Sequence, residues 1–169
     1  MQIRSCLPSD LEALRSLTDE AFEGVSIDHN IEKRFGIIAG HDWRWRKARH
    51  IDADVAANPE GVFVAEEDGK ILGYITTRVD REAGIGQIPN LAVAAAARNR
   101  GLGRQLIEFA LAYFRSLGLT HAKIETLEQN PIGRHLYPAC GFHEVATQVH
   151  FVMELNSHGQ DARKIPPTG

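Results

Sequence analysis

The sequence predicts a mixed α+β fold built as one domain, and three observations carry that expectation. Residues 62–66 and 71–79 read as two strands joined by the tight-turn pair Asp68-Gly69, a β-hairpin. Leu102, Leu106, Phe109, Ala110, Tyr113 and Leu117 recur on one helical face and stop at Gly118, forming the strongest amphipathic helix in the chain. Strand and helix patterns alternate along the length in the order βα(α)βββαβαβ. At 169 residues and 43% hydrophobic, the chain suits one well-buried core.

The elements follow in order. Residues 1–7 predict a short strand. Pro8-Ser9-Asp10 then supplies turn and cap chemistry for a helix whose apolar face is Leu11, Leu14, Leu17, Ala21 and Phe22. Between 24 and 58 dense charge blurs the pattern, with a second helix expected over 43–57 and ended near Pro59. Beyond the hairpin, residues 85–93 predict another strand, in which Pro89 cannot donate a ladder hydrogen bond and marks a bulge or a late start. Residues 122–127 alternate as a strand, 131–140 open on a proline as a short helix, and Gly141-Phe142 leads into a final strand through Leu155. The expected domain spans 1–155. Residues 156–169, with adjacent prolines and few apolar side chains, are expected to be a loose tail.

The net charge of −3 excludes a global positive field, so neither nucleic acid nor a membrane is an expected partner. No apolar run approaches the ~18 residues needed to cross a bilayer, and residues 1–7 lack a secretory layout; together these predict a cytoplasmic protein. Cys6 and Cys140 are the only thiols. Without Cys-x-x-Cys spacing they predict neither a disulfide framework nor a metal site.

Chemistry concentrates where Arg98-Asn99-Arg100-Gly101-Leu102-Gly103-Arg104 joins a predicted strand end to the long helix. Unpaired N–H groups and the positive end of the helix dipole make such a junction an anion site suited to a pyrophosphate. Gly101 and Gly103 remove Cβ atoms where backbone must approach phosphate, while Arg98, Arg100 and Arg104 add charge. A dinucleotide-binding loop is excluded because Leu106 stands where its third glycine belongs.

These residues resemble the cofactor loop of the GNAT superfamily of N-acetyltransferases, which reads Arg or Gln, two residues, Gly, one residue, Gly or Ala; Arg98, Gly101 and Gly103 match it. Leu91-Ala92-Val93 resembles the family's strand end beside the pantetheine arm. Asn130, Leu136-Tyr137 and Gly141-Phe142 resemble its later signature. The resemblance covers roughly residues 62–155 and departs from the pattern at Ala95, where proline is common, and at Asn99, where glycine is. It implies a central, mostly antiparallel sheet with helices on both faces and acetyl-CoA as cosubstrate, with no metal. Implied cofactor contacts are Leu91, Ala92, Val93, Arg98, Asn99, Arg100, Gly101, Leu102, Gly103, Arg104 and Asn130. The implied reaction moves an acetyl group to an amine of a small molecule or peptide, and the resemblance admits a homodimer.

Such a transfer needs a base for the amine and an acid for the departing thiolate. The resemblance assigns the acid to Tyr137. For the base, Glu125 is the candidate, with His121 behind it, Asn90 as a polar holder, and water as the alternative. Cys140 sits at a packing joint with no activating base, which favours direct attack over an acetyl-cysteine intermediate. Competing readings are an acyl-CoA sensor without turnover, and transfer to a hydroxyl or of a longer acyl group. The acceptor is expected to meet the stretch holding Phe35, Trp43, Arg44, Trp45, Arg46, Lys47, Arg49 and His50. Its arginines would favour an acceptor bearing a carboxylate and disfavour a polycation, unless Asp28, Glu32, Asp52 and Asp54 line the cleft instead. The plainer alternative is that they face water.

Overall fold

The structure, a computed structural model, describes residues 1–155. In chain order the elements are β1 (Gln2–Ser5), α1 (Leu11–Phe22), α2 (Ile27–Phe35), α3 (Trp43–Ala57), β2 (Phe63–Glu67), β3 (Lys70–Ile75), β4 (Arg78–Asp80), β5 (Ile85–Ile88), β6 (Leu91–Val93), α4 (Leu102–Ser116), β7 (His121–Ile124) and α5 (Pro131–Ala139). β1, β2, β3 and β6 pair antiparallel in that order, and β4, β5 and β7 form a second sheet. β5 and β7 run parallel, so the chain between them must cross over, and α4 makes that connection. A mixed, mostly antiparallel sheet with helices on both faces is thus present, as the resemblance implied.

Period-two alternation divides the core. Val62, Val64, Tyr74 and Ala92 turn to one face and pack against Leu14 and Leu17 of α1 and Ile51 of α3. Their neighbours Phe63, Ala65 and Ile75 turn to the other face, against Leu102, Leu106, Ile107, Ala110 and Phe114 of α4. Each buried Val, Leu, Ile or Phe among them contributes about 1.5–3 kcal/mol, which explains why the amphipathic pattern of α4 was so legible.

Two expected strands are broken at one place. The strand expected over 71–79 divides into β3 and β4, and that expected over 85–93 divides into β5 and β6. Ile75 opposes Leu91 and Arg78 opposes Gln87, so two residues face three, a β-bulge containing Pro89. A buried polar network holds the bulge. Asp54 of α3 accepts from Thr76 Oγ1 at 2.8 Å and from Asn90 Nδ2 at 2.6 Å on one oxygen, and from Arg78 on the other at 2.7 and 2.9 Å. Lys47 Nζ donates to Asn90 Oδ1 at 2.6 Å, Thr76 N–H donates to Asn90 C=O, and Asn90 N–H donates to Thr76 Oγ1 at 3.1 Å.

Helix α2 was hidden in the charge-dense stretch. Its signals are local: the Ser26 side chain accepts from His29 N–H, and Gly36 at φ 74° follows the last turn. The final strand expected through Leu155 is not formed. Among the described residues, 143–153 make no backbone–backbone hydrogen bond, because β7 has only β5 as a neighbour and nothing pairs with its outer edge. The tail expected at 156–169 lies outside the described residues.

Asp54→Ala would leave the Thr76 and Asn90 donors buried without their acceptor. It should lower the unfolding free energy by about 3 kcal/mol, read from urea titration. A loss below about 1 kcal/mol would show that the bulge is held by other contacts.

Candidate active site

The bulge creates the site. β5 stays beside β7 up to Ile88, whereas β6 belongs to the other sheet and ends it, so a cleft opens between Leu91–Val93 and the chain beyond Ile124. The backbone bonds from Thr76 N–H to Asn90 C=O and from Ala94 N–H to Leu72 C=O fix the alternation along β6. Positions 90, 92 and 94 face β3, so the backbone groups of Leu91 and Val93 face the cleft. Ala92, expected among the cofactor contacts, lines the cleft but has its amide turned to β3.

The cleft holds about 1190 Å³ and is lined along one side by Val93, Arg98, Asn99, Gly101, Gly103 and Arg104. A short 3-10 turn, Ala95–Ala97, leads from β6 to this loop. Asn99 and Gly101 both take left-handed backbone, φ 62° and 75°. Asn is among the few non-glycine residues that tolerate this, which accounts for its presence where the family pattern has glycine. A Cβ on Gly101 would come no closer than 3.9 Å to any other residue, so its glycine answers to φ and to whatever occupies the cleft. Gly103 works otherwise. Its Cβ would lie 3.0 Å from Leu136, so this glycine lets α4 and α5 meet, in addition to lining the cleft. Leu102 buries its side chain in the core, leaving only backbone for a ligand.

The arginines separate. Arg98 stays by the loop, its Nε 3.4 Å from Val93 C=O, and Arg104 lines the cleft. Arg100 turns away to Glu67, with contacts of 2.9 and 3.0 Å, and lies outside the cleft lining. Asn130 caps α5, accepting from Gly133 N–H at 3.3 Å and donating to Thr126 at 3.0 Å. That cap aims the helix carrying Tyr137.

Tyr137 is half-buried, lines the cleft and meets Phe142 edge-on at 6.4 Å. Burial, with a smaller contribution from Cys140, pushes its hydroxyl up to about 12, and among the described residues that hydroxyl has no hydrogen-bond partner. Burial likewise raises the Cys140 thiol. Glu125 lines the cleft from the end of β7, exposed and paired to Lys123 at 2.7 Å. His121 is held to Thr120 at 2.9 Å and lies outside the lining.

The aromatic and basic stretch does not converge on the cleft. Trp43 is buried, Arg44 lies over its ring and pairs with Glu23, Arg46 pairs with Asp28 and Glu32, and Trp45 stacks on His41 with Arg49 over it. Only Lys47 and His50 of that stretch line the cleft, joined there by Asp28, Ser26 and Phe22. Burial lowers the Lys47 pKa against the pull of Asp28 and Asp54. Of the four acidic residues weighed for the acceptor side, Asp28 lines the cleft and Glu32, Asp52 and Asp54 do not; Ser26 and Phe22, which no motif marked, join it only through helix packing.

Residues 12–142 match the family model described as the acetyltransferase (GNAT) family. The chain belongs to the GNAT acetyltransferase family. A mycothiol acetyltransferase from Cellulomonas flavigena is 32% identical over 159 residues, covering 88% of this chain and 42% of that protein. One from Thermomonospora curvata is 31% identical over 109 residues, 64% of this chain and 36% of that protein. The chain therefore spans less than half the length of these two relatives. PaiA N-acetyltransferase from Thermoplasma acidophilum, solved in complex with coenzyme A, has a TM-score of 0.69 at 17% identity, over 87% of this chain and 92% of that one. At that identity the likeness establishes a shared fold. No helix among the described residues is long and apolar enough to cross a membrane.

Two of the three arginines around this loop, Arg98 and Arg100, give the first test of the anion site. Arg98→Ala should weaken acetyl-CoA binding about tenfold or more, the worth of one charge-assisted hydrogen bond. Arg100→Ala, whose side chain is already engaged by Glu67, should change it less than about threefold. Calorimetry on both variants checks this, and equal losses would contradict the separation of roles.

Proposed function

We propose that this GNAT domain is an N-acetyltransferase that moves the acetyl group of acetyl-CoA to the amine of a small molecule or peptide by direct attack, working in the cytoplasm. The observation that carries this reading is the convergence, on one cleft, of the free β6 backbone, the loop before α4, and Tyr137. Unbonded amides of the first turn of α4, with Arg98 and Arg104, suit a pyrophosphate. Leu91 and Val93 offer strand-like donors and acceptors to an extended amide-containing arm, as an added strand would use them. Arg100 acts from outside by fixing Glu67, and Asn99 serves through its backbone. Acetyl-CoA, when bound, supplies the activated acetyl thioester.

The chain's own residues divide the proton work. A hydroxyl whose pKa stands near 12 remains protonated at neutral pH, so Tyr137 gives a proton to a departing thiolate and does not act as base. Glu125 or a water it orders takes the proton of the amine. The raised Cys140 thiol is a poor nucleophile, which removes the covalent route. A binding-only sensor is not favoured: Tyr137 lines the cleft, where a sensor has no need of an acid. At the other end, Asp28 beside Lys47 and His50 gives the acceptor a mixed polar corner, so the expected preference for a carboxylate-bearing acceptor loses its arginine basis. The relatives named for mycothiol acetylation support a small amine acceptor.

Release of free thiol with a panel of amino acids, N-terminal peptides, amino sugars and polyamines tests the activity. Tyr137→Phe should lower kcat by about 10²–10⁴ while acetyl-CoA affinity stays within about twofold. Because its pKa is raised, loss of the tyrosine proton should not depress the wild-type rate until pH approaches about 12. An unchanged rate in Tyr137→Phe with chemistry limiting would remove Tyr137 from the reaction, whereas a limb near pH 10 that vanishes in Tyr137→Phe would keep its role and overturn the raised pKa.

A further inference from the structure

Asp28 is a buried carboxylate that accepts no hydrogen bond among the described residues. It stands in the first turn of α2, is 7% exposed and lines the cleft. The side chains beside it stop short of bonding: Arg46 Nε lies 3.6 Å from one oxygen and His50 Nε2 3.9 Å from the other, and that Arg46 nitrogen is itself a buried donor without a partner. Arg46 is also shared with Glu32 at 3.8 Å, so one guanidinium stands between two carboxylates. Nor does α2 need Asp28 as a cap, since Ser26 Oγ accepts from His29 N–H at 3.2 Å. Buried polar groups are ordinarily hydrogen-bonded. A carboxylate at a cleft wall with its lone pairs unspent is completed by a donor that arrives in the cleft, and an ammonium is the strongest such donor.

Lys47 lines the same corner with the opposite charge. It is 9% exposed, donates to Asn90 Oδ1 at 2.6 Å and lies 4.2 Å from the centre of the Phe22 ring. Its relation to the acyl group follows from the cofactor path. With the pyrophosphate on the loop before α4, the arm runs back along β6 from Val93 to Leu91, and its acyl end arrives beside Asn90 and Lys47.

The two charges ask opposite things of a nitrogen. An attacking amine must be neutral. Beside Lys47 and the Phe22 ring, a second positive charge is disfavoured by like charge and by desolvation, so an amine there sheds its proton readily; beside Asp28 the opposite charge holds the ammonium form. A nitrogen on Asp28 is therefore an anchor and not a nucleophile. A monoamine occupies one of these places, and a diamine occupies both.

We propose that Asp28 is a specificity-determining residue whose carboxylate holds a second, non-reacting ammonium of the acceptor, and that the preferred acceptor is a small diamine. This rests on the acetyltransferase reading for the transfer itself. The neutral amine forms the C–N bond as the C–S bond of the thioester breaks; its surplus proton goes to Glu125 or water, Tyr137 protonates the thiolate, and the anchored ammonium is unchanged. A carboxylate in that place would face Asp28, so amino acids are poor acceptors.

Thiol release is measured with linear diamines from diaminoethane to diaminohexane, each against the monoamine of the same chain. The best diamine should have a KM about tenfold or more below that of its monoamine, the worth of one charge-assisted hydrogen bond. Asp28→Asn, which keeps the shape and removes the charge, should erase that difference through KM rather than kcat. A monoamine as good as its diamine in the wild-type chain overturns the proposal and needs no variant; a diamine preference that survives Asp28→Asn overturns it equally. Absence of thiol release with every amine overturns the acetyltransferase reading instead. Calorimetry then decides the anchor, and diamine binding that matches monoamine binding, or that ignores Asp28→Asn, overturns it.

Discussion

The carboxylate of Asp54 is the constraint on which the rest of the structure depends. It is the meeting point of Thr76, Asn90 and Arg78, and through them α3 grips both strands where they change sheet. Without a fixed bend, β6 would continue beside β7 and no cleft would separate them. A sheet can part only where its ladder bonds are replaced, since unpaired buried N–H and C=O groups are costly. The Thr76 hydroxyl supplies such a replacement by accepting from Asn90 N–H, and Pro89, having no N–H to satisfy, occupies the bulge without adding a donor. The geometry of the cleft is thus set by a buried polar cluster apart from Tyr137 and Glu125.

Sequence periodicity made the layers legible and left the bend half-seen. Alternation over 62–66 and the helical face of 102–117 are driven by burial, and burial writes itself into residue order. Pro89 announced a break, but the residues that hold it are 36 positions apart for Asp54 and Asn90 and 22 for Asp54 and Thr76, and nothing in their local sequence names the partner. The loop before α4 was legible for a similar reason: its features, left-handed backbone and a helix start, are local. What composition did not show is the contacts its residues make within the fold, Gly103 beneath Leu136 and Arg100 on Glu67.

The acceptor side was the least legible. Arg44, Trp45, Arg46 and Arg49 look like a recognition cluster in sequence, and the fold disperses them into cation–π contacts, ion pairs and a stacked His41. Helical spacing sends consecutive residues around the axis, so a run of basic residues on α3 cannot share one face. Lys47 and His50, three apart, do reach the cleft together. The C-terminal strand failed for the opposite reason. Its alternation is clear, but alternation shows only that one face wants cover and does not say which molecule supplies it.

One apolar joint decides between the two acyl-transfer routes open to a chain with a tyrosine and a cysteine at its site. Tyr137, Cys140 and Phe142 pack together at the end of α5, brought to α4 by the missing Cβ of Gly103. Burial there penalises any charged form, so it raises the tyrosine hydroxyl and the thiol in the same direction. The consequences diverge because the two routes ask opposite things. A nucleophilic cysteine must lose its proton before reacting, and desolvation opposes that. A general acid must keep its proton until the leaving group develops charge, and desolvation favours that. On the proposed reading, the environment that raises the Cys140 thiol also keeps the Tyr137 hydroxyl protonated, and one packing arrangement thereby favours direct transfer over a covalent route.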